Sequence, residues 1–179
     1  MPLVAIVGPT ASGKSDLALR AAEVFSGEIV NCDALQLYRG FNIGTAKTPA
    51  ALRCGVPHHL FDVLDPQNSY SAGDYARAAR ATIGEISSRG HLPLLVGGTG
   101  FYLRALLEGL PALPPRDQPL RDRLSRREQR RPGSLHRLLE RLEPSAGARI
   151  HPHDIQKVTR ALEIRLLTGA LLPAPATAS

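Results

Sequence analysis

Leu3-Val4-Ala5-Ile6-Val7-Gly8-Pro9-Thr10-Ala11-Ser12-Gly13-Lys14-Ser15 decides how the rest of the chain is read. The apolar run 3–7, cut off by Gly-Pro, predicts a parallel strand buried on both faces. Residues 8–15 satisfy G-x-x-x-x-G-K-[ST]. A helix follows, because Leu17, Ala18, Ala21, Ala22 and Phe25 recur at helical spacing from Lys14 onward, with Gly27 as the stop. Between a strand and a helix, the glycines let backbone N–H groups curl around phosphate oxygens, and the helix N-terminus adds partial positive charge. Lys14 is placed to bridge terminal phosphates, and the Ser15 hydroxyl to coordinate Mg²⁺. Read alone, the loop binds the phosphate chain of a nucleotide or a related diphosphate.

Working outward, Glu28-Ile29-Val30-Asn31 reads as a second strand that delivers Asp33 to the carboxyl edge of the sheet, where open parallel sheets bind ligands. There Asp33 can act as a general base within hydrogen-bond reach of an acceptor's proton, or as a partner of Mg²⁺ facing the loop. Both roles stay open at this level. Residues 40–70 carry Gly44, Pro49, Gly55, Pro57 and Pro66, predicting a loop-rich connection with one short helix, a length that points to function. Ser71 is suited to cap a helix supported by Asp74, whose apolar stripe runs through Tyr75, Ala79, Ile83 and Ile86 to a stop at Gly90. Leu92-Pro93-Leu94-Leu95-Val96 is the third strand. Gly97-Gly98-Thr99-Gly100 behind it reads, on glycine content, as a turn before a helix over 101–107. The adjacent His58 and His59, in extended chain, point to opposite sides and cannot both face one metal.

At Leu110-Pro-Ala-Leu-Pro-Pro115 the composition changes, and proline forbids a continuing helix. The expected organisation is a P-loop α/β core over 1–110, a basic helical region over 111–170 and an unstructured tail over 171–179. Helices are expected at about 119–130, 134–142 and 154–168, with no strand. A chain of 179 residues with 43% apolar content suits one packed α/β domain. No run approaches the ~20 apolar residues of a membrane span, and the first residues lack the pattern of a signal peptide. A cytoplasmic, monomeric protein is expected. Cys32 and Cys54 form neither a disulfide framework nor a Cys-x-x-Cys pattern and read as buried or idle thiols.

The net charge of +6 is localised: residues 1–110 hold 9 Lys/Arg and 9 Asp/Glu, residues 111–179 hold 13 and 7. Arg116, Arg121, Arg123, Arg126, Arg127, Arg130 and Arg131 fall in a stretch with three acids. Arginine's planar fork suits phosphate oxygens, so a polyanion partner competes with the plainer reading of a solvated helix surface. A second cluster, Arg149-Ile-His151-Pro-His153-Asp154, precedes a helix on which Lys157 and Arg160 share a face.

Taken together and in order, these segments resemble the tRNA dimethylallyltransferase family. The resemblance is carried by Gly8–Ser15, by Asp33-Ala-Leu-Gln-Leu-Tyr38-Arg-Gly with Ile43-Gly-Thr-Ala-Lys47, and by Pro57-His58-His59-Leu, Asp65-Pro66, Tyr70-Ser71-Ala72 and Gly97-Gly98-Thr99. It continues in Ala148-Arg149-Ile150-His151-Pro152-His153-Asp154 and Arg160-Ala-Leu-Glu163, covering residues 3 to about 169. It implies a P-loop NTPase-like parallel sheet with flanking helices, class α/β, plus a helical insertion. By the same resemblance the chain is shorter than typical family members, and the part C-terminal to residue 169 in that family is expected to be missing from it.

The resemblance implies that Gly8, Pro9, Thr10, Ala11, Ser12, Gly13, Lys14 and Ser15 hold the diphosphate of dimethylallyl diphosphate, with Mg²⁺ on Ser15 offsetting its charge. Asp33 becomes the catalytic base for the N6 of the adenosine beside the anticodon, in tRNAs reading codons that begin with U, and Thr99 lies near the reacting centre. Contacts to the tRNA anticodon stem-loop fall by resemblance on Asp33, Ala34, Leu35, Gln36, Thr99, Arg121, Gln156, Lys157, Val158, Thr159 and Arg160. Asn31-Cys32 and Ala34 depart from the family's usual Ser and small or apolar residues around the aspartate. Three other readings share these residues: a P-loop nucleoside or metabolite kinase, an adenylate isopentenyltransferase acting on free nucleotides, and an inactive fragment that binds tRNA or diphosphate.

Overall fold

The computed structural model describes residues 2–111 and 113–171. Apart from Leu171, the expected tail lies outside the described residues. The chain divides into two compact units, Met1–Leu110 and Pro111–Ser179.

The first unit is a four-stranded sheet flanked by helices. Its elements are β1 (Val4–Val7), α1 (Lys14–Phe25), β2 (Gly27–Asn31), β3 (His58–His59), α2 (Ala72–Ser88), β4 (Leu92–Gly97) and α3 (Gly100–Leu107). The strands lie in the order β1-β4-β2-β3 and every pairing is parallel. Alternation of side chains along β2 and β4 splits the core into two layers. Ile29, Leu94 and Val96 pack with Ala18 and Ala22 of α1, whereas Val30 and Leu95 pack with Tyr75, Ala76 and Ala79 of α2 and Tyr102 of α3. Tyr75 and Tyr102 stack with ring centroids 4.2 Å apart. Burial in this layer pushes the Tyr102 hydroxyl up to about 12.

Several expectations need correction. Among the described residues β1 pairs on one side only, with β4, and Val4 and Val7 are 41% and 51% exposed. The helix stop is Ser26, which takes the left-handed conformation (φ 51°) that ends α1, and Gly27 already belongs to β2. Gly27 is constrained instead by packing, since a Cβ there would lie 2.9 Å from Leu94 Cδ1. The two-residue β3 was read only as extended chain; His58 and His59 pair in register with Ile29 and Val30. The short helix of the loop region is a 3₁₀ turn at Ala50–Leu52. Ser71 and Asp74 form a reciprocal capping box on α2, as their spacing predicts.

Among its described residues the second unit holds α4 (Gln118–Arg130), α5 (Ser134–Leu142), α6 (Pro144–Arg149) and α7 (Ile155–Thr168), with no strand. Leu124, Leu135, Leu139, Ala146, Val158, Ala161 and Leu162 form its core. α6 was not expected, because six residues with Gly147 in the middle carry little helical signal. It is held by close packing, as a Cβ on Gly147 would sit 2.9 Å from Glu140 Cα. Its end is closed by His136 Nε2, which donates to the carbonyl oxygens of Gly147 (3.1 Å) and Ile150 (2.9 Å).

One buried carboxylate braces the start of the sheet. Glu28 accepts from Arg89 Nη2 at 2.9 and 3.1 Å, and its carboxylate meets His59 Nε2 at 2.6 Å and His91 Nδ1 at 2.8 Å. Burial alone would raise its pKa, but Arg89 and His59 hold it below the ordinary range. A depressed folded-state value means that this contribution is present above the unfolded pKa, near 4.5, and is lost as pH falls through the lower folded value. Replacing Glu28 by Gln should cost on the order of 2 kcal/mol at neutral pH. It should also shrink the acid-side fall in stability below pH 4.5, measured by urea denaturation from pH 3 to 7.

Candidate active site

The P-loop is built as its sequence requires. Gly13 caps α1 with φ +78°, a conformation favouring glycine, and Ala11 also sits at positive φ. The Lys14 ammonium folds over the loop and donates to the Pro9 carbonyl and, at 3.4 Å, to Ser12 Oγ. Thr10 to Asp16 line a cavity of about 460 Å³, within the usual size of a small-molecule site, ~300–1,000 Å³. Asp33, Gln36, Lys47, His58 and Gly98 line the same cavity. Loop and candidate base are therefore brought together.

Asp33 is positioned from every side. Cys32 N donates to Val96 O (2.7 Å), Thr99 N to Cys32 O (3.0 Å) and Ala34 N to Thr99 Oγ1 (2.9 Å), tying the chain beyond β2 to the chain beyond β4. The approach requires glycine: a Cβ on Gly97 would lie 2.3 Å from the Cys32 carbonyl carbon and oxygen. Residues 97–100 are therefore more than the turn their composition suggested. Asn31 Oδ1 accepts from Asp33 N, while its Nδ2 donates to the carbonyl oxygens of Asp33 (3.0 Å) and Leu60 (2.9 Å). Asp33 Oδ1 accepts from Leu35 N at 2.9 Å. The aspartate thus closes a local turn and lines the cavity with the same carboxylate.

Two cavity residues missed as functional candidates become visible here. Lys47, its side chain 3% exposed, pairs with Asp62 Oδ1 (2.7 Å) and donates to Tyr38 O (2.8 Å). With Gln36 Nε2 donating to Thr45 O (2.7 Å), it ties 36–47 to the 60–62 turn, where Leu60 and Asp62 sit at positive φ. Such strain in non-glycine residues is concentrated at functional sites. His58 bonds through Nδ1 to Val56 O (2.8 Å), and burial holds its imidazole below the ordinary range despite that bond. His59 turns away to Glu28. Among the described residues no cluster of three or more His, Cys, Asp or Glu side chains could hold a metal by itself. Cys32 is buried, and Cys54 is exposed.

Of the remaining predicted residues, Gly8 and Pro9 lead into the loop and Leu35 is exposed. In the helical unit Gln156 and Lys157 are exposed, with Lys157 paired to Asp154 at 2.6 Å. Val158 and Thr159 are buried in α7, 0% and 9% exposed, so their side chains serve the core. Arg160 and Arg121 both turn to buried Glu163, at 2.6 and 3.9 Å. Replacing Gly97 by Ala should force β4 from the Cys32 backbone and cost about 3 kcal/mol. Guanidinium denaturation of the variant against wild type measures the loss.

The model of the IPP transferase family matches residues 36–178. The tRNA dimethylallyltransferase of Solibacter usitatus is 66% identical over 168 residues, covering 94% of this chain and 55% of its own length. That of Koribacter versatilis is 54% identical over 92% of this chain and 54% of its own. Among solved structures, the full-length tRNA isopentenylpyrophosphate transferase of Bacillus halodurans is 44% identical with a TM-score of 0.61, over 94% of this chain and 56% of that one. A eukaryotic dimethylallyltransferase acting on tRNA is 31% identical with a TM-score of 0.80, over 94% and 42%. The chain spans about half the length of the curated relatives it matches.

Proposed function

The chain belongs to the IPP transferase family, and on that premise we propose that it carries the donor-binding half of a tRNA dimethylallyltransferase. The substrates are dimethylallyl diphosphate and the adenosine beside the anticodon of tRNAs reading codons that begin with U. The observation that carries this reading is the single cavity lined by both Lys14 of the P-loop and Asp33. In this reading residues 8–15 are the diphosphate cradle and Asp33 is the base, both facing that one volume.

In the reaction, the target adenine leaves the base stack to reach the cavity. Asp33 orients the exocyclic amine and accepts its proton as N6 attacks the allylic C1. The C1–O bond breaks, and the diphosphate departs with the bonding electrons. Lys14 and the loop's N–H groups receive the charge that develops on it, the kind of electrostatic assistance that dominates many transfers. Thr99 keeps Ala34, and with it Asp33, in place through its hydroxyl. The donors available for Mg²⁺ are hard oxygens, the Ser15 hydroxyl with Asp16 and Asp33 in the same cavity. That set suits an ion held by few protein oxygens plus phosphate. When bound, Mg²⁺ neutralises diphosphate charge. Asp33, Ala34, Leu35, Gln36 and the exposed Gln156 and Lys157 supply tRNA contacts in this reading, and the protein acts as a cytoplasmic monomer.

Incubating the 179-residue chain with unmodified tRNA, dimethylallyl diphosphate and Mg²⁺ should yield the prenylated nucleoside, detected by mass spectrometry after digestion. Binding of both substrates without product would reassign the chain to a binding fragment. Tight ATP binding with phosphoryl transfer would favour the kinase. Asp33→Ala should lower prenyl transfer by at least about 10²-fold and spare diphosphate affinity; transfer near the wild-type rate would sink the base assignment. Lys14→Ala should instead weaken diphosphate binding about tenfold or more, measured by calorimetry.

A further inference from the structure

Asn31 is the last residue of β2 and is fully buried (0% exposed). Its main-chain carbonyl accepts from Tyr75 Oη at 2.8 Å, and the register of β2 with β4 sets it beside Val96. The residue that carries the amide is thereby fixed from the core side. Its side chain turns two positions along the chain. Oδ1 accepts from Asp33 N (2.9 Å), and both Nδ2 protons are used, on Asp33 O (3.0 Å) and Leu60 O (2.9 Å). Two carbonyl oxygens can only accept, so the amide has a single orientation that satisfies all three bonds.

The N–H of Asp33 belongs to the peptide plane before its Cα, and the C=O to the plane after it. Peptide planes are rigid, so holding one atom in each restrains φ and ψ of the residue and with them the direction of its Cα–Cβ bond. The second plane is also held at its other edge, where Ala34 N donates to Thr99 Oγ1 (2.9 Å). The bond to Leu60 carries the clamp across 29 residues of sequence, onto a turn whose Asp62 and Val63 amides donate to the carbonyls of Gln36 (3.3 Å) and Leu37 (2.8 Å). That turn supplies Phe61 to the cavity that Asp33 lines. One side chain therefore ties the carboxylate-bearing residue to a second wall segment of the same cavity.

We propose that Asn31 is a positioning residue: its amide sets the direction in which the Asp33 carboxylate enters the cavity. The consequence for transfer rests on the reading of Asp33 as the base. Asn31→Asp has the same shape and keeps the acceptor for Asp33 N. Ionised, it sets an oxygen against the carbonyls of Asp33 and Leu60; protonated, it donates again. Burial and the neighbouring Asp33 carboxylate both raise the pKa of a carboxyl at this position, while burial pushes Cys32 and Tyr75 upward and keeps them neutral near pH 7. The protonated form is the one that fits, so prenyl transfer by the Asn31→Asp chain should fall as pH rises from about 5 to about 8, a limb that the wild-type chain lacks. Asn31→Leu should lower kcat at least about tenfold throughout that range and leave the KM for dimethylallyl diphosphate unchanged. Amide hydrogen exchange followed by NMR reads the clamp without turnover. In the wild-type chain the Asn31 side-chain N–H pair should be protected; in both variants at the upper pH the amides of Asp33, Ala34 and Leu35 should exchange faster while those of Leu94, Leu95 and Val96 keep their protection. Wild-type kcat and pH profile in both variants would overturn the proposal, and so would exchange of the wild-type Asn31 side chain at the rate of free amide. Protection lost across the whole sheet, with kcat following stability, would overturn it as well and make Asn31 a folding residue only. Local loss of protection in a chain that forms no prenylated nucleoside would leave this inference standing and remove the transferase reading.

Discussion

The first unit depends on the close approach of two strand ends. β4 runs past β2 so tightly at Gly97 that a single methyl group there would overlap the Cys32 backbone. Three hydrogen bonds, from Cys32 N, Thr99 N and Ala34 N, then lock the two chain segments together. Because β1 lies on the other side of β4, the same contact sets Asp33 against the P-loop. The distance between Asp33 and residues 8–15 is therefore a property of sheet packing.

Around that fixed point the polar groups are arranged to hold backbone. Asn31 spends both ends of its amide on Asp33 and Leu60, and Lys47 bridges Tyr38 and Asp62. The bonds from Asn31 to Leu60 and from Lys47 to Asp62 reach across 29 and 15 residues of sequence. Together they support two non-glycine residues at positive φ, a conformation that persists only where neighbours over-determine it. The cavity wall is thus rigid where the proposed chemistry needs orientation.

The helical unit separates structural from available charge. Glu163 gathers Arg121 and Arg160 in the interior, and its carboxylate also accepts from Asp117 N at 2.7 Å. Breaking such a buried cluster by removing one partner is costly, because it strands charge away from water. Arg123, Arg126, Arg127 and Arg130 lie on the outer face of α4, where solvent screens their charge. Composition alone located the basic excess in this part of the chain; burial divided it.

The sequence by itself determined the P-loop, the strand that leads to Asp33, the capping box on α2 and most helix limits. These are set by residues within a few positions of one another: glycines permitting a tight turn, a serine capping its own helix, apolar side chains at one period. Only the tertiary structure decided that β3 and α6 exist and that Gly97 is a packing requirement. It likewise decided that Val158 belongs to the core and that Thr159 is buried beside it. Each of these depends on what lies opposite a residue in space, and a period along one segment carries no record of its neighbour. Pairing across 65 residues, as between Ala34 and Thr99, becomes readable only once the sheet has brought the two together.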